Sequence, residues 1–538
     1  MEEEIKGKLD NGAWLVVPTP KSDQVHRSRW VFAVAYHEDG SIRKIKARFV
    51  GCGYSMTANK DYDKVFAATL PGVSFRVLLV CIADEDLETD HIDAMKAFTQ
   101  ADIDRKVYVH MPEGFSTPGY VLLLQKALEG IKQGAFLWFK HNRAAWIKLG
   151  FVTWMNETNL YYHPTLKIRI GVFADDTLVG YPKSVEAQYR AIKAEYATMI
   201  NIGALTISPV VKFINVGIER DRRNRTLTIS QKQYISQMAE EYKELISEHD
   251  TPFGTTREQR VSFEKIQEAS GSPVDKAVYL GMMGKLVWPS SMTRPDISEA
   301  VSTLCSMVSQ PLDVHLQAAY VILGYLWKTK HLGITYGGRL RVPPGLTEFP
   351  PGFEESHGLY VIHDSSWGSK IRPMGGHAVM MANGSIDWMA KQLKLVPVST
   401  CEAETAVASR AVKAGAFARE LAIRNGIRIV GPTPTIGDNA AMHALIQHDG
   451  ATQRTRYYER ATMLIKRAVL LLLFYPYLIG TSDMAADIFT KALEKGLFVK
   501  FRNIIMNCHP NLRDSLMAAR STVHGEARLL IERLVAKI

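Results

Sequence analysis

The stretch Ile168-Arg169-Ile170-Gly171-Val172-Phe173-Ala174-Asp175-Asp176-Thr177-Leu178-Val179-Gly180 sets two adjacent carboxylates inside an otherwise apolar hairpin. Ionised carboxylates are costly to bury, so such groups are solvated, paired or ligated to a cation. A divalent metal is the natural partner for two acids forced together at a half-buried turn; a simple turn-capping pair is the alternative. Upstream, His91-Ile92-Asp93-Ala94-Met95-Lys96-Ala97-Phe98 follows an apolar, helix-like run from Phe75 to Ala83 and supplies a third carboxylate, Asp93. Three carboxylates on neighbouring strands could hold two Mg²⁺ ions, which stabilise the attacking and leaving oxygens of an in-line phosphoryl displacement. Phe98, five residues after Asp93, is placed either to stack beneath an incoming sugar and exclude a 2′-hydroxyl or to fill the core.

The chain has 538 residues, 46% of them hydrophobic, so it is globular and long enough for three or four domains. Its formal charge of +10 favours a polyanionic partner, because Lys and Arg displace counterions from phosphate backbones. Five scattered cysteines, Cys52, Cys81, Cys305, Cys401 and Cys508, show no zinc spacing and read as buried thiols of a reducing compartment, cytoplasm or nucleus. The acidic start Met1-Glu2-Glu3-Glu4 is unlike a signal peptide, and the longest apolar run, Ala468 to Ile479, is too short to span a bilayer. No membrane partner is expected.

From Ala13 to Val50 the pattern predicts a β-meander, with strands at Trp14 to Val17 and Trp30 to Val34, a turn at Glu38-Asp39-Gly40, and a return strand from Ile42 to Val50. Lys44, Lys46 and Arg48 alternate along one face of that return strand, suited to a triphosphate, to a template backbone, or simply to solvent. Residues 120–150 read as helical, Val185 to Met199 as an amphipathic helix, and Val211 to Ile229 as strand, turn and strand. Helices follow to Leu332, with Pro295 at a helix start. Pro343-Pro344-Gly345 and Pro350-Pro351-Gly352 then make a stiff, extended connector and the main domain boundary.

Beyond the connector a second set of acids sits at strand ends and helix starts. A strand from Gly358 to His363 ends in Asp364, strands at His377 to Met381 and Ile386 to Trp388 follow, and an N-cap-like Ser399-Thr400-Cys401-Glu402-Ala403-Glu404 opens an Ala-rich helix to Leu421. Asp438 ends another strand and Asp487 lies in Ala485-Ala486-Asp487-Ile488-Phe489. Four such acids could form a second two-metal site, with Glu402 and Glu404 competing for one ligand position. Each acid alone reads equally as a cap or a surface charge.

Taken together these blocks resemble the reverse transcriptase and ribonuclease H portion of copia-type LTR retrotransposon polyproteins, from about Asn11 to Asn507. The similarity rests on Lys46-Ala47-Arg48-Phe49-Val50, Asp61-Tyr62-Asp63-Lys64-Val65-Phe66, Asp93 through Phe98, Lys126-Ala127-Leu128 with Gly130-Ile131-Lys132-Gln133, and Phe173-Ala174-Asp175-Asp176. It continues with Thr293-Arg294-Pro295-Asp296-Ile297, Asp364 with Trp367, Glu402-Ala403-Glu404, Asp438-Asn439 and Ala486-Asp487-Ile488-Phe489-Thr490-Lys491.

The resemblance implies an α+β and α/β multidomain chain: a right-hand polymerase of fingers, palm and thumb, then a ribonuclease H-like α/β domain. Fingers and palm would occupy 10–245, a helical thumb or connection 246–340, the Pro/Gly linker 341–356, the ribonuclease H-like domain 357–495 and a helical tail 496–538. It implies an RNA-directed DNA polymerase with ribonuclease H activity, holding two Mg²⁺ ions per site, with Mn²⁺ as a substitute. Asp93, Asp175 and Asp176 would bind the polymerase metals; Lys46, Arg48 and Lys132 would lie near the nucleotide and Phe98 would act as sugar gate. Asp364, Glu404, Asp438 and Asp487 would form the ribonuclease H site. The implied partners are an RNA template, a DNA primer, an RNA–DNA hybrid and dNTPs; oligomeric state is left open.

Three departures matter. Glu129 stands where the family has an aromatic beside the nucleotide, Thr405 replaces the aromatic after the catalytic glutamate, and Leu470-Leu471-Leu472-Leu473-Phe474 replaces a charged turn, predicting a sticky surface or an altered helix. No aspartic-protease triplet, zinc knuckle or integrase His/Cys cluster is visible. A catalytically silent nucleic-acid-binding remnant of such an element and a metal-dependent nuclease without polymerase activity are the competing expectations.

Overall fold

The computed structural model describes residues 1–36, 42–367, 372–394, 396–447 and 457–508. The expected Glu38-Asp39-Gly40 turn and most of the 496–538 tail lie outside them. The chain packs as two units, one of residues 1–78, 87–210 and 424–426, the other of 79–86, 211–423 and 427 onward.

The first unit is built on a five-stranded antiparallel sheet in the order Glu88–Asp93, Asp176–Tyr181, Arg169–Phe173, Glu157–Tyr162, Val152–Trp154. Alternation in these strands turns Ile92, Tyr161, Ile170, Val172 and Val179 into one core with the helices Gly134–Lys148 and Glu186–Met199. Trp146 stacks on Tyr196 at 3.9 Å between ring centroids, locking the two helices together beneath the sheet. One buried ion pair lies there: Lys193 Nζ is 2.7 Å from Asp90, which also accepts from Tyr189.

A second sheet of this unit runs Trp14–Pro18, Tyr120–Leu124, Tyr108–Val109, Val25–His26. Two expectations are corrected here. Residues 120–124 are a strand and the helix begins only at Gly134, because Val121, Leu122 and Leu124 pack into a sheet-borne core that periodicity alone could not distinguish from a helix face. The meander is likewise broken: Trp14–Pro18 pairs with Tyr120–Leu124, whereas Ser28–Tyr36 and Ile42–Gly51 form a separate two-stranded ribbon.

The second unit starts with an antiparallel sheet of Lys212–Phe213, Val216–Asp221, Thr226–Ser230 and Ile334–Gly337, accompanied by helices Lys276–Met292, Ser298–Cys305 and Asp313–Lys328. Arg294 and Asp296 of the Thr293-Arg294-Pro295-Asp296-Ile297 block are wholly buried against each other, with Tyr325 donating to Asp296: a structural knot.

The remaining sheet orders its strands Gly384–Gln392, Met374–Met381, Tyr360–Ser365, Thr433–Gly437, Phe474–Leu478, the first three antiparallel and the last three parallel. The helix Thr400–Arg424 joins the antiparallel and parallel parts. It lies close because its inner face is small: a Cβ at Gly415 would stand 2.7 Å from Val361 and 2.9 Å from Phe474. This is the expected multidomain α/β architecture, a polymerase-like palm followed by a ribonuclease H-like fold.

The Pro/Gly segment 341–356 is not an extended spacer. It makes two turns, at Gly345 and Gly352, whose positive φ and tight contacts with Ile479 and Val430 tie it onto the fold, and Phe353 is buried. Cys52 and Cys81 are buried as expected, but Cys305, Cys401 and Cys508 are only half-buried. The helix Glu459–Leu470 stops at a turn with Leu472 at φ +52°, leaving Leu470 81% and Leu472 68% exposed, so the leucine run presents apolar surface to solvent. Among the described residues no helix is long and apolar enough to cross a membrane.

Two candidate metal centres

In the first unit the strand register brings the carboxylates together. Asp93 ends its strand directly opposite Asp176, and Phe173 opposite Asp176 leaves Ala174-Asp175 as a two-residue turn. Ala174 holds φ +54°, a left-handed conformation that glycine or asparagine adopts more readily, so local strain sits beside Asp175. Two bonds pin that turn: Trp138 Nε1 donates to Ala174 O at 2.8 Å and Ala94 N to Asp175 O at 3.1 Å. Asp93 and Asp175 are exposed and Asp176 half-buried. Partial desolvation pushes the Asp175 carboxyl above its ordinary range, Asp176 and Asp93 add to this, and the charge of Arg48 opposes it.

Around the turn, Phe98 is half-buried and packs on the palm core, while Lys46, Arg48 and Lys132 are exposed. His91, two residues before Asp93 and on the same strand, lies 2.9 Å from Asp176 Oδ1 through Nε2, and this bond raises the histidine's pKa. It was missed in the sequence, although the period of two put it on the strand face of Asp93. Glu129 does not hang in solvent: its carboxylate pairs with Lys8, a fully buried ammonium that also sits 3.3 Å from Glu4. The negative charge that replaces the family's aromatic is therefore already neutralised by Lys8 of the N-terminal helix Glu2–Asp10.

In the second unit Asp364 ends the central strand, Asp438 follows the neighbouring parallel strand and Glu404 lies in the first turns of the connecting helix. One oxygen from each lies within 4.8 Å of the others, and among the described residues this is the one group of three or more His, Cys, Asp or Glu to meet that distance. Asp93, Asp175 and Asp176 stand further apart. Glu404 is 4% exposed and takes two bonds on Oε1, from Ser365 N at 3.0 Å and Ser365 Oγ at 3.1 Å. Burial lifts its pKa, against the pull of His363 and Ser365. Glu402 instead accepts from Val398 N at 2.8 Å as a cap, which separates the two candidates. Thr405 is buried and its hydroxyl donates back to Cys401 O at 2.7 Å.

Asp487 lies beside this group rather than within it. Lys491, four residues on, reaches Asp487 Oδ1 at 2.6 Å and Asp364 Oδ2 at 3.6 Å, and Thr490 Oγ1 donates to Asp364. Burial, then the nearby Asp364, pushes the Asp487 carboxyl up to about 7. The roles of Lys491 and Thr490 escaped the sequence reading, although the i, i+4 spacing of Asp487 and Lys491 carried the signal. An all-oxygen donor set with Glu404 Oε2 buried and, among the described residues, without a hydrogen-bond partner fits a hard divalent cation such as Mg²⁺ or Mn²⁺.

Comparison with known proteins adds lineage to this geometry. The family described as reverse transcriptase (RNA-dependent DNA polymerase) matches residues 11–251. The retrovirus-related Pol polyprotein from transposon RE1 of Arabidopsis thaliana is 27% identical over 94% of this chain and 33% of its own length. A protein of transposon Ty5-1 of Saccharomyces cerevisiae is 30% identical over 60% of this chain and 99% of its own. A foamy viral protease-reverse transcriptase solved with double-stranded DNA superposes with a TM-score of 0.49 at 11% identity, over 89% of this chain and 70% of that one. The chain spans about a third of the length of the plant Pol polyproteins it matches.

Proposed function

The chain belongs to the copia-type retrotransposon Pol family, as a fragment carrying a reverse transcriptase and a ribonuclease H-like domain, and from that premise we propose that it is an RNA-directed DNA polymerase that also cleaves the RNA strand of an RNA–DNA hybrid. The observation that carries the reading is the convergence of Asp364 and Asp438, at the ends of two parallel strands, with Glu404 of the connecting helix, in a chain whose palm hairpin and its neighbouring strand also bear three acids. Fingers and palm are assigned to 10–245, thumb or connection to 246–340, the linker to 341–356, ribonuclease H to 357–495 and a tail to 496–538.

Asp93, Asp175 and Asp176 would hold two Mg²⁺ ions in the polymerase site, and Asp364, Glu404, Asp438 and Asp487 two in the other, with Mn²⁺ able to substitute. Bound there, the cations lower the pKa of a primer 3′-hydroxyl or a water and neutralise charge on the leaving oxygen. The protein's own part is positioning. Lys46, Arg48 and Lys132 offer exposed cations to the dNTP phosphates, Phe98 lies beneath the sugar and rejects a 2′-hydroxyl, and Trp138 holds the Ala174-Asp175 turn in place. On the ribonuclease H side the 2′-hydroxyl marks the strand to be cut. An RNA template and a DNA primer complete the polymerase reaction.

The test is Mg²⁺-dependent dNTP incorporation on a primed RNA template, comparing the parent with Asp175→Asn/Asp176→Asn. Incorporation lost in the double variant supports the reading and its metal ligands. A folded parent that incorporates nothing favours a catalytically silent nucleic-acid-binding remnant.

A further inference from the structure

One buried histidine touches two of the three elements that carry the second carboxylate group and belongs to the third. His363 immediately precedes Asp364 on the central strand and is 2% exposed. Its Nδ1 lies 3.8 Å from Glu404 Oε2, and both atoms are buried with no closer hydrogen-bond partner among the described residues. A buried polar atom left unpaired is costly, so two such atoms facing each other are a donor and acceptor awaiting a small closure. On its other side the ring lies flush with the Asp438 strand: a Cβ built at Gly437 would stand 2.7 Å from His363 Cε1 and 3.2 Å from Nε2. Glycine at 437 is what leaves room for the imidazole. Beside it lies a cavity of about 10 Å³, shared with Thr435, Asn439 and Met442, too small for the ring to swing into.

We propose that His363 is a positioning residue of the ribonuclease H site, its imidazole wedged between Glu404 and Gly437 so that the Nδ1 proton orients the Glu404 carboxylate toward Asp364 and Asp438. Oε1 is already tied to Ser365, so a second bond on Oε2 removes the remaining rotation of the carboxylate. Groups that hold a metal ligand in this way set metal affinity as well as rate, and their loss costs roughly 10–100-fold. The inference rests on the ribonuclease H reading above.

Asparagine places its side-chain nitrogen near the Nδ1 position, whereas glutamine reaches toward Nε2, so the two separate a hydrogen bond from simple bulk. In the Asp175→Asn/Asp176→Asn background, where only the second site is read, Mg²⁺ binding to the full chain is measured by calorimetry beside hybrid cleavage. His363→Leu and His363→Gln are expected to weaken Mg²⁺ binding about 10–100-fold and to lower kcat, with His363→Asn staying within about threefold of the background. Asparagine and glutamine variants that behave alike, or a leucine variant that binds Mg²⁺ as the background does, overturn the positioning role. The ribonuclease H reading fails separately: in that case the background itself shows no Mg²⁺ binding that Asp438→Asn removes.

Discussion

The two units hold their acids in opposite ways. The first displays Asp93 at a strand end and Asp175 on a strained two-residue turn to solvent, with Asp176 half-covered; the second buries Asp364 and Glu404 and ties them to Thr490 and Ser365. Exposed carboxylates repel each other little and need not be brought close, whereas buried ones are costly unless hydrogen-bonded, so burial and convergence come together. The first centre is thus one that substrate and cations would complete, and the second one that the fold has largely assembled.

The largest effect that could break this contrast is catalytic independence. Asp364→Asn/Asp438→Asn is expected to lower hybrid cleavage by about 10³-fold or more while dNTP incorporation persists, and Asp175→Asn/Asp176→Asn to do the reverse. Cleavage that survives the first pair removes the second centre from the comparison.

Next in size is the buried exception within the exposed site. Lys8→Met alone should destabilise the first unit by about 3 kcal/mol, because Glu129 loses its cation, while Lys8→Met/Glu129→Gln recovers most of the loss. The midpoint of the unit's urea transition reads this; a double variant no better than the single one shows that the pair does not couple.

Metal binding sharpens the comparison further. If the second centre is preassembled, Mg²⁺ at ten times its dissociation constant should stabilise the folded chain by about 1.4 kcal/mol. The gain in melting temperature should vanish in Asp364→Asn and persist in Asp93→Asn; equal losses in both would make the two centres alike.

The remaining effect is on pH. Asp487 keeps its proton up to about 7 in the fold against 3.8 as its ordinary value, so between those limits the folded state binds a proton that the unfolded chain has released. Stability in EDTA therefore falls as pH rises from about 4 to 7. Melting curves at pH 5 and 8 should show the fall in the parent and a smaller one in Asp487→Asn.

Much of this was legible in the chain. Asp175-Asp176 within an apolar hairpin and Asp364 at the end of an apolar strand are local patterns, and strand period and turn chemistry act over a few residues. The failures are equally local in origin. Residues 120–124 were read as helix because a short apolar run has no period of its own, and their pairing partner, Trp14–Pro18, lies a hundred residues away. Pro343-Pro344-Gly345 and Pro350-Pro351-Gly352 were read as a spacer because prolines stiffen a free chain; in the fold the glycines make turns against Ile479 and Val430.

The identity and order of the acids, the strands that carry them and the lineage are all written in short blocks of the chain. Which acids converge, that Lys8 answers Glu129 and that His363 lies against Gly437 were settled by the packing of the fold. Those outcomes depend on contacts between residues far apart in the chain, where burial sets the cost of each charge and leaves only paired or hydrogen-bonded arrangements standing.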